Sequence, residues 1–348
     1  LKIISPKRIT ITDLARELSL SVCTIHKALT GKPPITEATR QRVLEVARKL
    51  GYRPSAAARS MGRPVIRLAA IYPTAWPSHT QALFDGARER LAELSDYRVE
   101  ATFRTVPNSK SGKPFLKVLR QVIRDSVHGI LFALICERDR ESILEVLAES
   151  GIPHCALGHS MESDAPGFFY VWQDCRLCGK LAAEVLAFAL PQEVETAIFI
   201  GRRDIPDHGM KIEGFHGELV AHGMKPPWIA EALDDPQMAY PVARKLFEEH
   251  WDIRGIYVGT ENAKGILRFL EESGRRGKVK VVVTGISEPV AEGFQKEIVH
   301  ASIHQRQCFQ GKLAVDFLFK LLETGEKPVK ETLVAPRVLF RGNFSNPE

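Results

Sequence analysis

The sequence predicts an α/β protein in which a small head of three helices precedes a larger body of parallel sheets, and three features predict it. The N-terminal part carries three capped helical segments. From Val65 onward, short apolar runs alternate with amphipathic helical stretches in two successive series. Charge divides the chain at the same place: the formal net charge is +6, yet Leu1 to Arg63 hold 13 Lys or Arg against 4 Asp or Glu, a net of +9, while the remainder holds 35 against 38, a net of −3. At 348 residues the chain exceeds the length at which a single core stops growing, so at least two domains are expected.

In ITITDLARELSL, Thr10 or Thr12 can cap a helix in which Leu14, Ala15 and Leu18 recur at helical spacing. Ser21 caps a second helix, followed by Val22, Ile25, Ala28 and Leu29, and the short interval between the two is that of a helix-turn-helix. A third is predicted in ITEATRQRVLEVARKLGY, with Thr36 as N-cap, Thr39 just inside, Val43, Leu44, Val46, Ala47 and Leu50 as the buried stripe, and Gly51 as the stop. A merely solvated bundle would leave unexplained why the second helix exposes Thr24, His26 and Lys27 with no carboxylate. A helix N-terminus presents free N–H groups and a positive dipole end to phosphate, and side chains of its first turns can reach base edges in a major groove. A basic head on a mildly acidic body therefore points to double-stranded DNA as the head's partner.

In the body, VIRLAAIY, YRVEATFRT, GILFALI and IPHCALG read as strands, with HTQALFDGARERLAEL, FLKVLRQVIRD and ESILEVLAESG as the helices between them. The second series has TAIFIG, GIYVG and KVKVVVTG as strands and CGKLAAEVLAFAL, MKIEGFHGELVAHG and NAKGILRFLEESG as helices. This order argues for two Rossmann-like lobes, with a ligand at the carboxyl ends of the strands. The same pattern would suit a nucleotide-dependent enzyme. No G-x-G-x-x-G follows the first strand, however, and neither G-x-x-x-x-G-K-[ST] nor G-x-S-x-G occurs. Enzymatic activity and a cofactor are therefore not expected.

The six cysteines, Cys23, Cys136, Cys155, Cys175, Cys178 and Cys308, are scattered, which fits reduced thiols. Cys175 and Cys178 lack the second pair that a structural zinc site needs and read as two small residues one helical turn apart. No apolar run is long enough to span a membrane and LKIISPKRIT does not read as a signal segment, so a cytoplasmic, membrane-free protein is expected.

Ile9 to Met61 resembles, nearly without gaps, the lactose-repressor (LacI/GalR) transcriptional regulators, and its tail GYRPSAAARS is especially diagnostic. The resemblance implies that the second helix lies in the major groove, with Val22, Cys23 and Lys27 facing bases and Ser21, Thr24 and His26 nearer the phosphates; Tyr52 and Arg53 complete the DNA-binding set of the head. Cys23, His26 and Lys27 replace the family's usual Ala, Ser and Arg, and Lys cannot reproduce the bidentate fork of Arg on guanine, so a half-site other than the commonest is expected. Ser19 stands where the turn usually carries Gly, so that turn is expected to adopt a different or slightly strained backbone. RPSAAARSMGRP resembles the family's hinge helix, with Met61 as the wedge for the minor groove where the family uses Leu. A plain flexible linker is the alternative; Pro54 in a first turn followed by alanines favours a conditional helix.

The body resembles the family's effector-binding core, similar to periplasmic sugar-binding proteins, through DCRLCGKLAAEVL, KIEGFHGEL, VTGISEP and ASIHQ. The ligand residues that this implies are Trp76, His79, Asp174, Lys211, Glu261, Ser287 and Gln305. Trp76 can stack on a sugar ring, while Lys211 keeps the cation of the family's Arg but loses its two-pronged grip. Cys175 replaces the usual Asn beside Asp174, and Ser287 and Glu288 replace a usual Asp-Asp. Lys211, Arg202, Arg203 and His208 together would put positive charge near one rim, suiting an acidic or unusual sugar.

The expected organisation is a helix-turn-helix head over 1–53, a hinge over 54–63 and a bilobed core over 64–348, with lobe 1 at about 64–171 plus 303–340 and lobe 2 at about 172–302. The expected function is that of a homodimeric DNA-binding repressor of a near-palindromic operator, controlled by a sugar or sugar derivative between the lobes. Dimer contacts are expected from the helix Gln81 to Leu94, and no heptad repeat builds a coiled coil for tetramers. A free sugar-binding protein or a cryptic enzyme on the same core are the alternatives.

Overall fold

Three helices build the head: α1 (Ile11–Leu18), α2 (Val22–Thr30) and α3 (Glu37–Lys49). Thr10, not Thr12, caps α1 in a capping box: its hydroxyl accepts the Asp13 N–H at 3.2 Å while the Asp13 carboxylate accepts the Thr10 N–H at 2.9 Å. Thr36 caps α3, accepting the Thr39 N–H at 3.3 Å. Leu14, Leu18, Ile25, Ala28, Val43 and Ala47 close the small core. Ser19 takes φ 51° and ψ 40°, the left-handed conformation that glycine would occupy, so the turn keeps its geometry and bears the strain of a Cβ there, about 1 kcal/mol.

The computed structural model describes residues 9–30, 33–50, 52, 64–74, 77–107, 109, 111–134, 139–233, 235–260 and 263–345. Arg53, Met61, Trp76 and Glu261, the hinge 54–63 and the stop at Gly51 lie outside the described residues. Among those described, no helix is long and apolar enough to cross a membrane.

The body contains two six-stranded sheets. The first comprises β1 (Ile66–Pro73), β2 (Val99–Val106), β3 (Gly129–Phe132), β4 (His154–Leu157), β5 (Phe168–Gln173) and β11 (Glu331–Val334), in the order β11-β5-β4-β3-β1-β2. The second comprises β6 (Glu195–Ile200), β7 (Trp228–Glu231), β8 (Ile253–Val258), β9 (Lys280–Thr284), β10 (Ala301–His304) and β12 (Arg337–Leu339), in the order β12-β10-β9-β8-β6-β7. Pairings β1–β3, β3–β4, β4–β5 and β5–β11 are parallel, as are β6–β7, β6–β8, β8–β9 and β9–β10; β12 joins β10 antiparallel. The inner strands β3, β4 and β5 are buried along their whole length, whereas the edge strands β7, β11 and β12 are partly exposed. Burial on both faces is why β3 and β4 are legible as short apolar runs, whereas β5, equally buried, is not among the strands read from the sequence.

The helices that connect these strands are α4 (Pro77–Glu93), α5 (Lys113–Arg124), α6 (Arg140–Ser150), α7 (Cys175–Ala189), α8 (Pro206–Ala221), α9 (Pro236–Glu249), α10 (Ala263–Glu272), α11 (Glu288–Gln295) and α12 (Gln307–Thr324), with a short 3-10 turn at Ser95–Tyr97. The strands β5, β7, β10, β11 and β12 and the helices α9, α11 and α12 add to those read from the sequence.

The chain passes between the sheets three times, after β5, after β10 and between β11 and β12. The boundaries drawn from the sequence are therefore corrected locally: Trp172 and Gln173 finish β5 in the first sheet, and Ile303, His304 and 337–339 belong to the second. Pro336 cannot donate to a ladder, so β11 stops before it and the next residues pair with β10 instead.

In each lobe two helices touch backbone to backbone through reciprocal glycines. A Cβ on Gly311 of α12 would overlap the Leu83 carbonyl of α4 and lie 2.8 Å from Ala87 N, and one on Gly86 would overlap the Cys308 carbonyl. In the second lobe a Cβ on Gly179 of α7 would overlap the Lys211 carbonyl of α8, and one on Gly214 the Arg176 carbonyl. The latter crossing fixes the first turns of α8, which carry Asp207 and Lys211.

Candidate functional site

On the head, the Ser21 hydroxyl accepts the Thr24 N–H at 3.0 Å and lies 2.8 Å from the Thr24 hydroxyl, so α2 begins with a satisfied cap. Ile25 and Ala28 turn into the core. Val22, 44% exposed, stands on the opposite side with exposed Cys23 and His26, and Lys27 is half-buried beside them. The helix has no acidic residue in its first turn. Helical spacing brings Val22 next to His26 and Cys23 next to Lys27, giving one continuous acid-free face. Tyr52 is half-buried against the head core, its backbone N–H donating to the Ala47 carbonyl at 2.8 Å.

In the body, polar side chains converge where the strands of both sheets end. His79 is on α4, and its Nδ1 accepts the Gln307 amide at 3.2 Å. Gln307 also donates to Gln305 Oε1 at 3.3 Å, and Gln310 donates to the Gln305 carbonyl at 2.7 Å, so Gln305 is the centre of a buried amide chain. Gln173, buried at the end of β5, donates to the Gly158 carbonyl at 3.1 Å and leaves its Oε1 without a partner among the described residues. Lys211, 5% exposed on α8, donates to the Gly259 carbonyl at 2.8 Å. One turn earlier is Asp207, 6% exposed, whose carboxylate meets Ser160 at 2.9 Å and His159 at 3.1 Å. The His79 and His159 rings lie 5.7 Å apart.

Two of the expected ligand residues also serve helix ends. Asp174 caps α7, its Oδ1 accepting the Leu177 N–H at 2.8 Å. Ser287 is the N-cap residue of α11 but makes no side-chain cap bond. The positive rim is corrected: Arg202 is paired with Asp204, and Arg203 Nε with Glu231 at 2.9 Å. Burial, then the neighbouring Lys211, lower His208 to about 4. What remains is Lys211, with Asp207 a turn away to balance it.

Burial, followed by the charges of His159 and Lys211, lowers His79 to about 3. Burial alone would raise the Asp207 carboxyl, but the hydrogen bond and charge of His159, the Ser160 hydroxyl and Lys211 overcome it and hold the group below its ordinary value. Burial pushes the Cys175 thiol up to about 12 and Cys178 well above its ordinary value, so both stay protonated thiols.

These shifts fix a pH dependence. The folded chain keeps His79 and His208 neutral where an unfolded chain protonates them, so their contribution is intact above about pH 6.5 and is lost as pH falls toward 4 and 3. After allowance for partial solvent screening, denaturation at pH 5 should find the body less stable than at pH 7 by about 1 kcal/mol for each histidine. His79→Gln and His208→Gln should each flatten that slope, and an unchanged slope would contradict the burial of these rings.

Asp207, His159, Ser160, Gln173 and Gln307 join the site without having been expected from the sequence. The i, i+4 spacing of Asp207 and Lys211 behind Pro206 is a usable signal for the first; nothing local marks the others, which meet only through the crossing of the chain between the two sheets.

Comparison with known proteins accounts for both parts of the chain. Residues 61–327 match the periplasmic binding protein domain, and residues 10–55 match the bacterial regulatory proteins of the lacI family. Catabolite control protein A of Priestia megaterium is 26% identical over 274 residues, 76% of this chain and 78% of its own. A periplasmic ribose ABC transporter structure from Conexibacter woesei superposes with a TM-score of 0.72 at 18% identity, covering 81% of this chain and 93% of that one. A periplasmic solute-binding protein of Actinobacillus succinogenes with bound D-allose superposes with a TM-score of 0.71 at 19% identity, covering 81% and 99%. At such identities the two structures share the fold alone. With a lacI-type DNA-binding head joined to a periplasmic-binding-protein core, the chain belongs to the lacI family and is a DNA-binding transcriptional regulator.

Proposed function

We propose that this regulator is a homodimeric repressor whose grip on a near-palindromic operator is set by a sugar-like small molecule held between the lobes. The observation that carries the reading is the union, in one chain, of an acid-free, capped helix on a basic head with a cleft of buried polar side chains able to address a polyol. Each head would read one half-site, so that a two-fold axis in the dimer makes the palindrome. Val22, Cys23 and Lys27 would face the bases, with Ser21, Thr24 and His26 toward phosphate and Tyr52, Arg53 and Met61 adding to the DNA-binding surface. In the cleft His79, Gln305 and Lys211 would contact the ligand, together with Asp174, Ser287, Trp76 and Glu261. A ligand alters DNA binding only through unequal affinity for the two lobe arrangements. The relative in Priestia megaterium is named for catabolite control and one fold neighbour holds D-allose, which supports a sugar-like effector.

The test is thermal unfolding of the full chain against sugars, sugar acids, polyols, sugar phosphates and purines. A ligand at about 100 times its dissociation constant adds about 2.7 kcal/mol of stability. The same ligand should then shift operator affinity at least roughly tenfold, the direction separating inducer from corepressor. No shift with any class would sink ligand control, and failure to prefer any duplex sequence would sink operator reading.

A further inference from the structure

We propose that Asp207 is a cross-lobe clasp, the positioning residue that holds the two lobes in register across the cleft. It stands on α8 in the second lobe, yet both of its oxygens are engaged by the first: Oδ1 accepts the Ser160 hydroxyl at 2.9 Å and Oδ2 lies 3.1 Å from His159 Nδ1. The loop that carries this pair is itself tied down, since Arg140 donates to the Ser160 carbonyl at 2.9 Å. Met210, on the same turn of α8, packs against the first-lobe cluster that contains Met161, so an apolar contact flanks the polar one.

The neighbouring charged group behaves differently. Lys211 sends its Nζ to the Gly259 carbonyl, at the end of β8 in its own lobe, and that bond survives any parting of the lobes. Parting the lobes strips Asp207 of both partners. Both bonds cross from one lobe to the other and satisfy a carboxylate that is buried while the lobes are together, so they are made and broken together with the lobe movement. The arrangement thus makes one side chain the register mark of lobe position. This goes beyond the proposed repressor mechanism, because the clasp requires neither a particular ligand nor an operator.

Hydrogen exchange on the intact chain tests it. Ser160→Ala and His159→Ala remove one partner each without touching Asp207 or Lys211. Either variant should speed amide exchange at least about tenfold in segments 158–161 and 204–211, and leave the buried strands 195–200 and 253–258 unchanged. Ser160→Thr keeps the hydroxyl and should restore protection. Unchanged exchange in the cleft segments would overturn the clasp. So would an equal rise in the control strands, which would make these residues general supports of the fold.

Discussion

Alanine at Gly311 should destabilise the body by about 3 to 5 kcal/mol, enough to leave much of the protein unfolded or insoluble at growth temperature. The added methyl would overlap the Leu83 carbonyl and crowd Ala87 N, and both obstacles are backbone atoms of α4 that no rotamer change can remove. Separating α4 from α12 would open the packing of α12 against the first sheet, where Ala314, Val315 and Leu318 are fully buried. Gly217→Ala is the internal control. It lies inside α8 with nothing within 4 Å of the added Cβ, and should be neutral or stabilising by about 0.5 kcal/mol because alanine favours the helix. Urea denaturation of the full chain, following the body transition, measures both. Similar midpoints for the two variants would refute the backbone-to-backbone crossing.

Lys27→Ala should weaken operator binding roughly 10- to 100-fold while leaving affinity for an unrelated duplex little changed. The magnitude is that of one good base contact, and the position follows from α2, where Lys27 shares a face with Cys23 while Ile25 and Ala28 anchor the helix from behind. Anisotropy titrations on operator and scrambled duplex at two salt concentrations separate the roles. Loss confined to the operator identifies base reading. Equal loss on both sequences, with the salt slope reduced by about one, would make Lys27 a phosphate contact instead.

Much of the head is legible in the sequence because its helices are set locally. Thr10, Ser21 and Thr36 each cap the helix that follows within three residues, and the exposed face of α2 is the complement of its buried Ile25 and Ala28. Ser19, standing where the resembled family usually carries Gly, leaves a different or a slightly strained turn open, and φ of 51° selects the strained one. The cleft is legible only in outline. His79, Lys211 and Gln305 meet there, but Arg202 and Arg203, read as positive charge near one rim, are paired with Asp204 and Glu231.

The sequence by itself determined the head, the two α/β series and the sign of charge in each part, since caps, periodicity and composition act over a few residues and hold whatever the rest of the chain does. Tertiary structure alone decided which sheet receives β12, which glycines allow helices to touch, and that Asp207 reaches Ser160 and His159 from the other lobe. Those outcomes depend on residues far apart in the chain, 47 and 48 positions for the partners of Asp207 and 228 for His79 and Gln307. Their meeting is set by strand order and helix crossing, and their pKa values follow from the burial that only the assembled body creates.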